Sequence, residues 1–516
     1  MARSFRLSSN SLRANLKAHS GLGLFIAALL YLVCMTGVVS VYYPDIEQWE
    51  QADIAATQTV TPAQIQAAVE TIYEHHQQQT GKGDKAGALE DIWVNMPTTD
   101  MPRFIVGASP ARAEGEAKRE KLEFHLNSNG SLGPAVAHEW THFVVKLHYA
   151  LTLPGVWGIT LVGVIGMVLV AMTISGILAH PNIFKDAFAL RINRGARQQQ
   201  VDMHNRIGVW ATPFILAIAL TGALIGLSQV LLFTFATGFH KGDTTAISNQ
   251  LYMPHPQPTH EPAPLLDVAP IVEKFQRDYP HLNAYFLAIH YPATTAQAVE
   301  IGAYVPNRLA WYDAVQYNAA GEETKRLGWP DGDLGMQIYA STYRLHFGHF
   351  GGLPVKILYT LLGLGLCFIC ATGMNIWFRR QQQAGNPRAV TERLWLAAVW
   401  GFPCALVLTG ISSFWWPQAS VALFWGGSVL LAAGALVAKS RRQVSIGLRL
   451  LLIALIALLL TAHIARFGSA ALSGASLLVN GWWLIAALAL IVGLKPGLPL
   501  ATSKRQIPTE TSSDPA

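Results

Sequence analysis

Charge is scarce in this sequence. Asp, Glu, Lys and Arg make up 13% of its 516 residues, against 51% hydrophobic residues. Soluble domains carry nearer about 25% charged residues, so an ordinary soluble fold is excluded. Cysteine is also scarce: Cys34, Cys367, Cys370 and Cys404 all lie within apolar runs, so no disulfide framework is available to any part outside a membrane. Cys367 and Cys370 form a C-x-x-C, but inside an apolar stretch, where buried packing is the expected role. Gly348–Gly352 lack the strand–glycine–helix context of a nucleotide loop, and no dinucleotide fingerprint, Walker motif or flavin-binding pattern occurs. A cleavable signal is missing too. The N-terminus is basic, but its apolar run is long and lacks a small-residue cleavage site, which predicts a retained span.

Long apolar runs dominate instead. A span needs about 20 mostly apolar residues, and eight stretches qualify: 20–42, 155–178, 207–232, 354–378, 394–412, 417–438, 446–464 and 476–494. Lys and Arg near span ends set orientation. They gather before the first span (Arg3, Arg6, Arg13, Lys17), between the second and third (Lys185, Arg191, Arg194, Arg197, Arg206), and between the fourth and fifth (Arg379, Arg380, Arg388, Arg393). They also gather between the sixth and seventh (Lys439, Arg441, Arg442, Arg449) and after the eighth (Lys495, Lys504, Arg505). Alternate loops are therefore cytoplasmic, and both termini are expected inside. The net charge of +6 is a topology signal, not a nucleic-acid footprint.

Two long segments, 43–153 and 233–352, then fall outside. Each reads as a helix followed by three strands. In the first the helix is Thr61 to about His75, with strands at Asp91–Met96, Arg103–Gly107 and Lys121–Leu126 and a turn at Asn129-Gly130. In the second the helix is Val268–Tyr279, with strands at Ala284–His290, Ala298–Tyr304 and Ala310–Tyr317. Tyr42, Tyr43, Trp49, Trp140, Trp157, Tyr339 and Tyr343 cluster near the outer face, as an interfacial aromatic belt would.

The span–loop–span unit occurs twice. His19 opens the first span and Thr36-Gly37 closes it. His204 opens the third and Thr221-Gly222 closes it at the same spacing. Leu147-His148 precedes the second span, Leu345-His346 the fourth, and Ser175-Gly176 and Thr372-Gly373 sit near the two cytoplasmic exits. Such a duplication predicts a pseudo-twofold four-helix bundle, with small residues allowing close approach. His19 and His204 then share one depth on the inner side, His148 and His346 one on the outer side. Two histidine pairs at opposite faces of one bundle suit two bis-His b-type haems in apolar slots between helices. His142 and His349 are rivals for the outer ligands. His138, His142 and His349 also read as surface residues, His180 as a helix-end residue, and His463 lies outside the repeat. No catalytic side chain is indicated.

His-x-x-x-Gly near a span start, Thr-Gly near its end, an external helix-plus-strands segment and Leu-His before the returning span resemble the PepSY-associated transmembrane family, which includes PiuB-type iron-regulated membrane proteins and FoxB-like ferrioxamine reductases. The residues carrying the likeness are His19, Gly23, Thr36 and Gly37; His204, Gly208, Thr221 and Gly222; Leu147 and His148; Leu345 and His346. It covers about residues 10–380. The resemblance implies an all-α polytopic bacterial inner-membrane protein with two α+β PepSY-like periplasmic domains inserted in a duplicated four-helix core. It implies b haem on the same four histidines and reduction of a ferric siderophore or other ferric chelate, releasing iron for uptake. The expected division is 1–42 (cytoplasmic N-terminus and first span), 43–153 and 233–352 (periplasmic domains), 154–232 (second and third spans), 353–380 (fourth span), 381–496 (four further spans) and 497–516 (cytoplasmic tail). With no nucleotide site in the chain, the electron donor is expected to be a cytoplasmic reductase or quinol. Two other classes of function remain open from the sequence: a siderophore or metal transporter, and a PepSY-type peptide-binding sensor or assembly protein.

Overall fold

Among the described residues, eight helices are long and apolar enough to cross a membrane, because each offers a long apolar run with few charges. They lie in a computed structural model that describes residues 8–80, 88–111, 121–127, 130–179, 196–259 and 261–494. His180, Asn129, Lys185, Arg191 and Arg194 lie outside the described residues, as does the tail from 495. The chain begins with α1 (Ser9–Ser40), α2 (Tyr43–Glu50) and α3 (Pro62–Thr80), then β1 (Leu89–Asn95), β2 (Ile105–Pro110), β3 (Leu122–Leu126) and β4 (Leu132–Ala135). Next come α4 (Glu139–Ala150), α5 (Gly155–Leu178), α6 (Ala196–Gly226), α7 (Ser228–Phe239), α8 (Thr244–Leu251) and α9 (Ala269–Asp278). The second strand set is β5 (Asn283–His290), β6 (Ala298–Tyr304), β7 (Tyr312–Asn318) and β8 (Glu323–Arg326). The chain closes with α10 (Leu334–Phe347), α11 (Gly352–Gln383), α12 (Ala389–Ser413), α13 (Ser420–Val437), α14 (Arg441–Phe467) and α15 (Gly474–Leu494). The third span ends at Gly226, earlier than its apolar run suggests, and α7 continues as a separate short apolar helix.

The two extramembrane segments do not form separate sheets. Their strands join in one eight-stranded antiparallel sheet of order β4-β3-β2-β1-β5-β6-β7-β8. The seam pairs β1 with β5, placing Ile92 opposite Ile289 and Val94 opposite Leu287. Each segment contributes four strands, not three; β4 and β8 are only four residues long and leave little alternation to read. Along β1, β5 and β6 one residue set (Ile92, Val94, Leu287, Ile289, Val299, Ile301) is fully buried. It packs with Ile65, Val69 and Ile72 of α3 and Val272 and Phe275 of α9 in a single core. The two segments bury this face together in that one core. The other face looks toward the bundle: Arg344 of α10 lies over Trp311, 5.4 Å from its ring centre, and Trp329 meets Tyr339 at 5.5 Å.

Small residues bring the bundle helices together. A Cβ at Gly163 would lie 2.9 Å from the Gly226 backbone, and one at Gly166 would lie 3.1 Å from the Ala219 carbonyl, so α5 and α6 meet almost backbone to backbone. The four C-terminal spans pack beside the first copy of the repeat, in a shared core with α1, α2 and α4. Trp49 and Trp140, expected in an aromatic belt, are fully buried there, whereas Trp157 is exposed as a belt residue should be.

Candidate functional site

The site is four histidines, each presented by one helix and held by a Ser/Thr-Gly dipeptide of another. His148, near the end of α4, rests on α1. Its Nδ1 lies 2.9 Å from the Val33 carbonyl and 3.5 Å from the Thr36 hydroxyl. His346, near the end of α10, rests on α6 in the same way, its Nδ1 3.1 Å from both the Ile218 carbonyl and the Thr221 hydroxyl. Glycine follows the threonine because the ring needs the space. A Cβ at Gly37 would fall 2.9 Å from His148 Cε1, and one at Gly222 would fall 2.7 Å from His346 Cε1.

The histidines at the other end of the bundle repeat this logic. His19 of α1 has its Nδ1 2.9 Å from the Ser175 hydroxyl and 3.1 Å from the Met172 carbonyl of α5. His204 of α6 has its Nδ1 3.1 Å from the Thr372 hydroxyl of α11. Gly176 and Gly373 lie against these rings, where a Cβ would sit at 3.4 and 3.3 Å.

These contacts set the tautomer. A carbonyl can only accept, so Nδ1 of His148, His346 and His19 carries the proton and donates it. The Thr372 hydroxyl already donates to the Phe368 carbonyl at 2.8 Å and therefore accepts from His204. All four rings then keep an unprotonated Nε2, the state a metal ligand needs, with the outer-shell partner fixing its orientation.

The outer pair meets across the bundle. The His148 and His346 ring centres are 6.1 Å apart with planes inclined by 31°. Imidazole nitrogens bind first-row metals at about 2 Å, so one iron between two rings sets their nitrogens about 4 Å and their centres about 6 Å apart. The observed separation fits. The cavity between the rings is apolar, lined among others by Val33, Val162, Phe214, Ile218 and Leu366, and glycines 37, 166, 222 and 363 open its walls. Among the described residues no group of three or more His, Cys, Asp or Glu is arranged to hold a metal ion. Two imidazoles facing each other across an apolar slot suit a planar macrocycle that brings its own equatorial ligands.

The rival histidines stand apart. His142 is exposed on the first turns of α4. His349 stacks against Tyr43 at 5.1 Å and lies 3.3 Å from the Val41 carbonyl through Nε2, with no facing imidazole. His463 is fully buried and fully paired: its Nε2 donates to the Trp49 carbonyl at 2.9 Å and its Nδ1 accepts from Asn480 at 3.1 Å. Cys367 is buried in the bundle core beside Tyr31, Met374 and Phe378, with Cys34 and Cys370 packed against that cluster.

Aromatic rings roof the outer pair. Phe347 is 5.6 Å from His346, Tyr343 stacks on Phe347 at 4.3 Å, and Tyr43 meets Phe347 at 6.1 Å. Beyond them, Tyr285 and Trp311 pair at 5.7 Å on the bundle-facing side of the sheet. Two carboxyls of α2, the helix that carries Tyr43, titrate above the ordinary carboxyl range. Burial and the neighbouring Glu50 and Glu123 push Glu47 up to about 8, and burial raises Glu50 to about 7 against the hydrogen bonds it accepts from Thr141 and Trp140.

The Ser/Thr-Gly dipeptides were visible in the sequence as landmarks of the repeat. Their role as partners of the histidines was not, because His19 and Ser175 are 156 residues apart and His346 and Thr221 are 125 apart. The chain is 27% identical over 312 residues to an uncharacterised protein of Pseudomonas aeruginosa, a match spanning 57% of this chain and 77% of the relative. The sequence profile of the PepSY-associated TM region matches residues 16–380, a stretch that contains both copies of the repeat and all four histidines, and the chain belongs to that family.

Proposed function

We propose that the protein is a haem-containing oxidoreductase of the bacterial inner membrane. It carries electrons from the cytoplasmic face to the periplasmic face and reduces a ferric siderophore or other ferric chelate there. The observation that carries this reading is the outer pair: two imidazoles 6.1 Å apart, each with Nε2 left free by an Nδ1 hydrogen bond, facing each other across an apolar slot. His148 and His346 would hold an outer b haem, His19 and His204 an inner one. Haem held by these residues would supply one-electron exchange, with His148, His346, His19 and His204 as its protein ligands.

The chain's own residues do the rest. The Nδ1 contacts orient each ring, the apolar walls exclude water, and glycines 37, 176, 222 and 373 leave room for the imidazoles. The aromatic roof of Tyr43, Tyr343 and Phe347 and the Tyr285–Trp311 pair offer ring faces against which a bulky chelate can dock, with the Glu47 carboxyl at hand to protonate a chelate that loses its iron. The charge of the opposite loops and the family support a periplasmic sheet with PepSY-like halves. The electron donor is a cytoplasmic reductase or quinol.

The test is to reduce the purified protein with dithionite, remove the excess, and mix it with a ferric hydroxamate or ferric catecholate in the presence of a ferrous-iron dye. Reoxidation of b-type bands in step with dye formation is expected, and His346→Ala should abolish it. Reduced protein that keeps its bands in the presence of every chelate tried refutes the reductase reading.

A further inference from the structure

We infer that the four C-terminal spans are a brace that fixes the pose of the outer ligand His148, with Glu50, Trp140 and Thr409 as its positioning residues. This rests on the haem reading above and gives α12–α15 a role in it.

Helix α4 begins at Glu139, after His138. The helix has no side-chain cap of its own, so its first N–H groups need an outside acceptor. Glu50 of α2 supplies it: Oε1 accepts from the Trp140 N–H at 2.8 Å, and Oε2 from the Thr141 N–H at 2.9 Å and the Thr141 hydroxyl at 2.5 Å. Trp140, fully buried, donates its indole N–H to the Thr409 hydroxyl of α12 at 3.0 Å. The socket is cut to its ring, since a Cβ at Gly410 would lie 3.0 Å from Trp140 Cζ2.

The neighbouring helix α2 is pinned by the same spans. Trp49 stacks on His463 of α14 at 4.3 Å and 9° and donates its indole N–H to Asn480 of α15 at 2.9 Å. Asn480 in turn donates to His463 and to the Ala471 carbonyl. Every polar atom of this network finds a partner, which makes it a fixed joint. Glu50, the next residue along α2, is thereby held in place to cap α4. His148 sits eight residues beyond Trp140 on the same short helix, about 12 Å away along its axis. The path from brace to ligand is one rigid element.

The second copy of the repeat has no such joint. Ile338 stands eight residues before His346, as Trp140 does before His148, and it is 57% exposed. Helix α10 is capped by Asp333 of its own approach loop and tied to its own extramembrane segment, with the Tyr339 hydroxyl 2.6 Å from that of Tyr252 and Arg344 over Trp311. One outer ligand is therefore braced by the C-terminal spans and the other by its own extramembrane segment, although the repeat makes them equivalent in sequence.

The experiment uses the full chain, with low-spin ferric signals recorded by electron paramagnetic resonance and a potentiometric titration of the b-type bands. Thr409→Val keeps the shape and removes the acceptor; Trp140→Phe removes the donor and part of the ring. Both should shift the signal and midpoint of one haem, the one lost in His148→Ala, and leave the other unmoved. Thr461→Val, an exposed position on α14, should shift neither, and thermal unfolding of each variant separates loss of fold from loss of pose. Thr409→Val and Trp140→Phe proteins that stay folded with both haem signals unchanged overturn the brace. A wild-type protein without haem signals overturns the functional reading itself, a different result.

Discussion

Gly222→Ala is the sharpest single perturbation the structure offers. The added methyl would fall 2.7 Å from His346 Cε1 and 3.4 Å from its Nδ1. Ordinary carbon contacts begin at 3.4 Å, so the ring must retreat by about 0.7 Å, the difference of those two contact distances. That movement stretches both Nδ1 hydrogen bonds, now 3.1 Å to Ile218 and Thr221, and displaces Nε2 from the slot. Disturbing the outer shell of a metal ligand typically costs about 10–100-fold in affinity, enough to empty one of two haem sites during purification. Gly208→Ala on the same helix meets nothing within 4 Å and is the matched control, with the same change in helix propensity. Gly373→Ala, at 3.3 Å from His204, should be milder. The assay is haem per chain, from the pyridine haemochrome spectrum against protein concentration. A Gly222→Ala protein as haem-rich as Gly208→Ala would refute the reasoning.

The remaining predictions concern ligands, a buried ion pair and pH. His19→Ala or His204→Ala should halve the haem content, and His142→Ala or His349→Ala should leave it intact; the spectra decide which histidines are ligands. Lys356 and Asp45 form a buried pair at 2.7 Å, so Lys356→Met should cost about 3–5 kcal/mol by leaving an unpaired carboxylate. The double change Lys356→Met with Asp45→Asn should recover most of the lost thermal midpoint, and no recovery counts against an ion-pair origin. His290 lies 2.7 Å from Asp91 and 3.5 Å from Glu300 across the seam of the sheet. Burial alone would lower it, but those carboxylates outweigh burial and raise it to about 9. A raised pKa contributes stability that is full below the ordinary value of 6.5 and lost as pH rises through 9. Hydrogen exchange at β1 and β5 should therefore quicken from pH 7 to 10 beyond its intrinsic rise, and His290→Gln should remove that excess.

Periodicity and apolar run length made the eight spans legible in the sequence, and the identical spacing from histidine to Thr-Gly made the four-histidine repeat legible. What stayed hidden depended on distant pairing. The seam between β1 and β5 joins residues such as Asp91 and His290, 199 apart, and no local pattern announces it; each segment read alone suggests its own sheet. Trp49 and Trp140 carry an interfacial signature, yet they are joints to the C-terminal spans, because their indole N–H groups find Asn480 and Thr409 more than 260 residues away. Outside the matched family region, α14 gave no hint that His463 is a structural partner of Trp49. The structure also separates the rivals for the outer site, since His148 and His346 line one cavity and His142 and His349 do not.

The central claim is that each histidine pair holds one haem. The most direct measurement is a dithionite-reduced minus oxidised visible spectrum of the purified chain, calibrated as pyridine haemochrome. Two b-type haems per chain are predicted, falling to one when His148 and His346 are both replaced by Ala and to none when His19 and His204 are replaced as well. A colourless protein, or one whose haem content is indifferent to these four positions, contradicts the account.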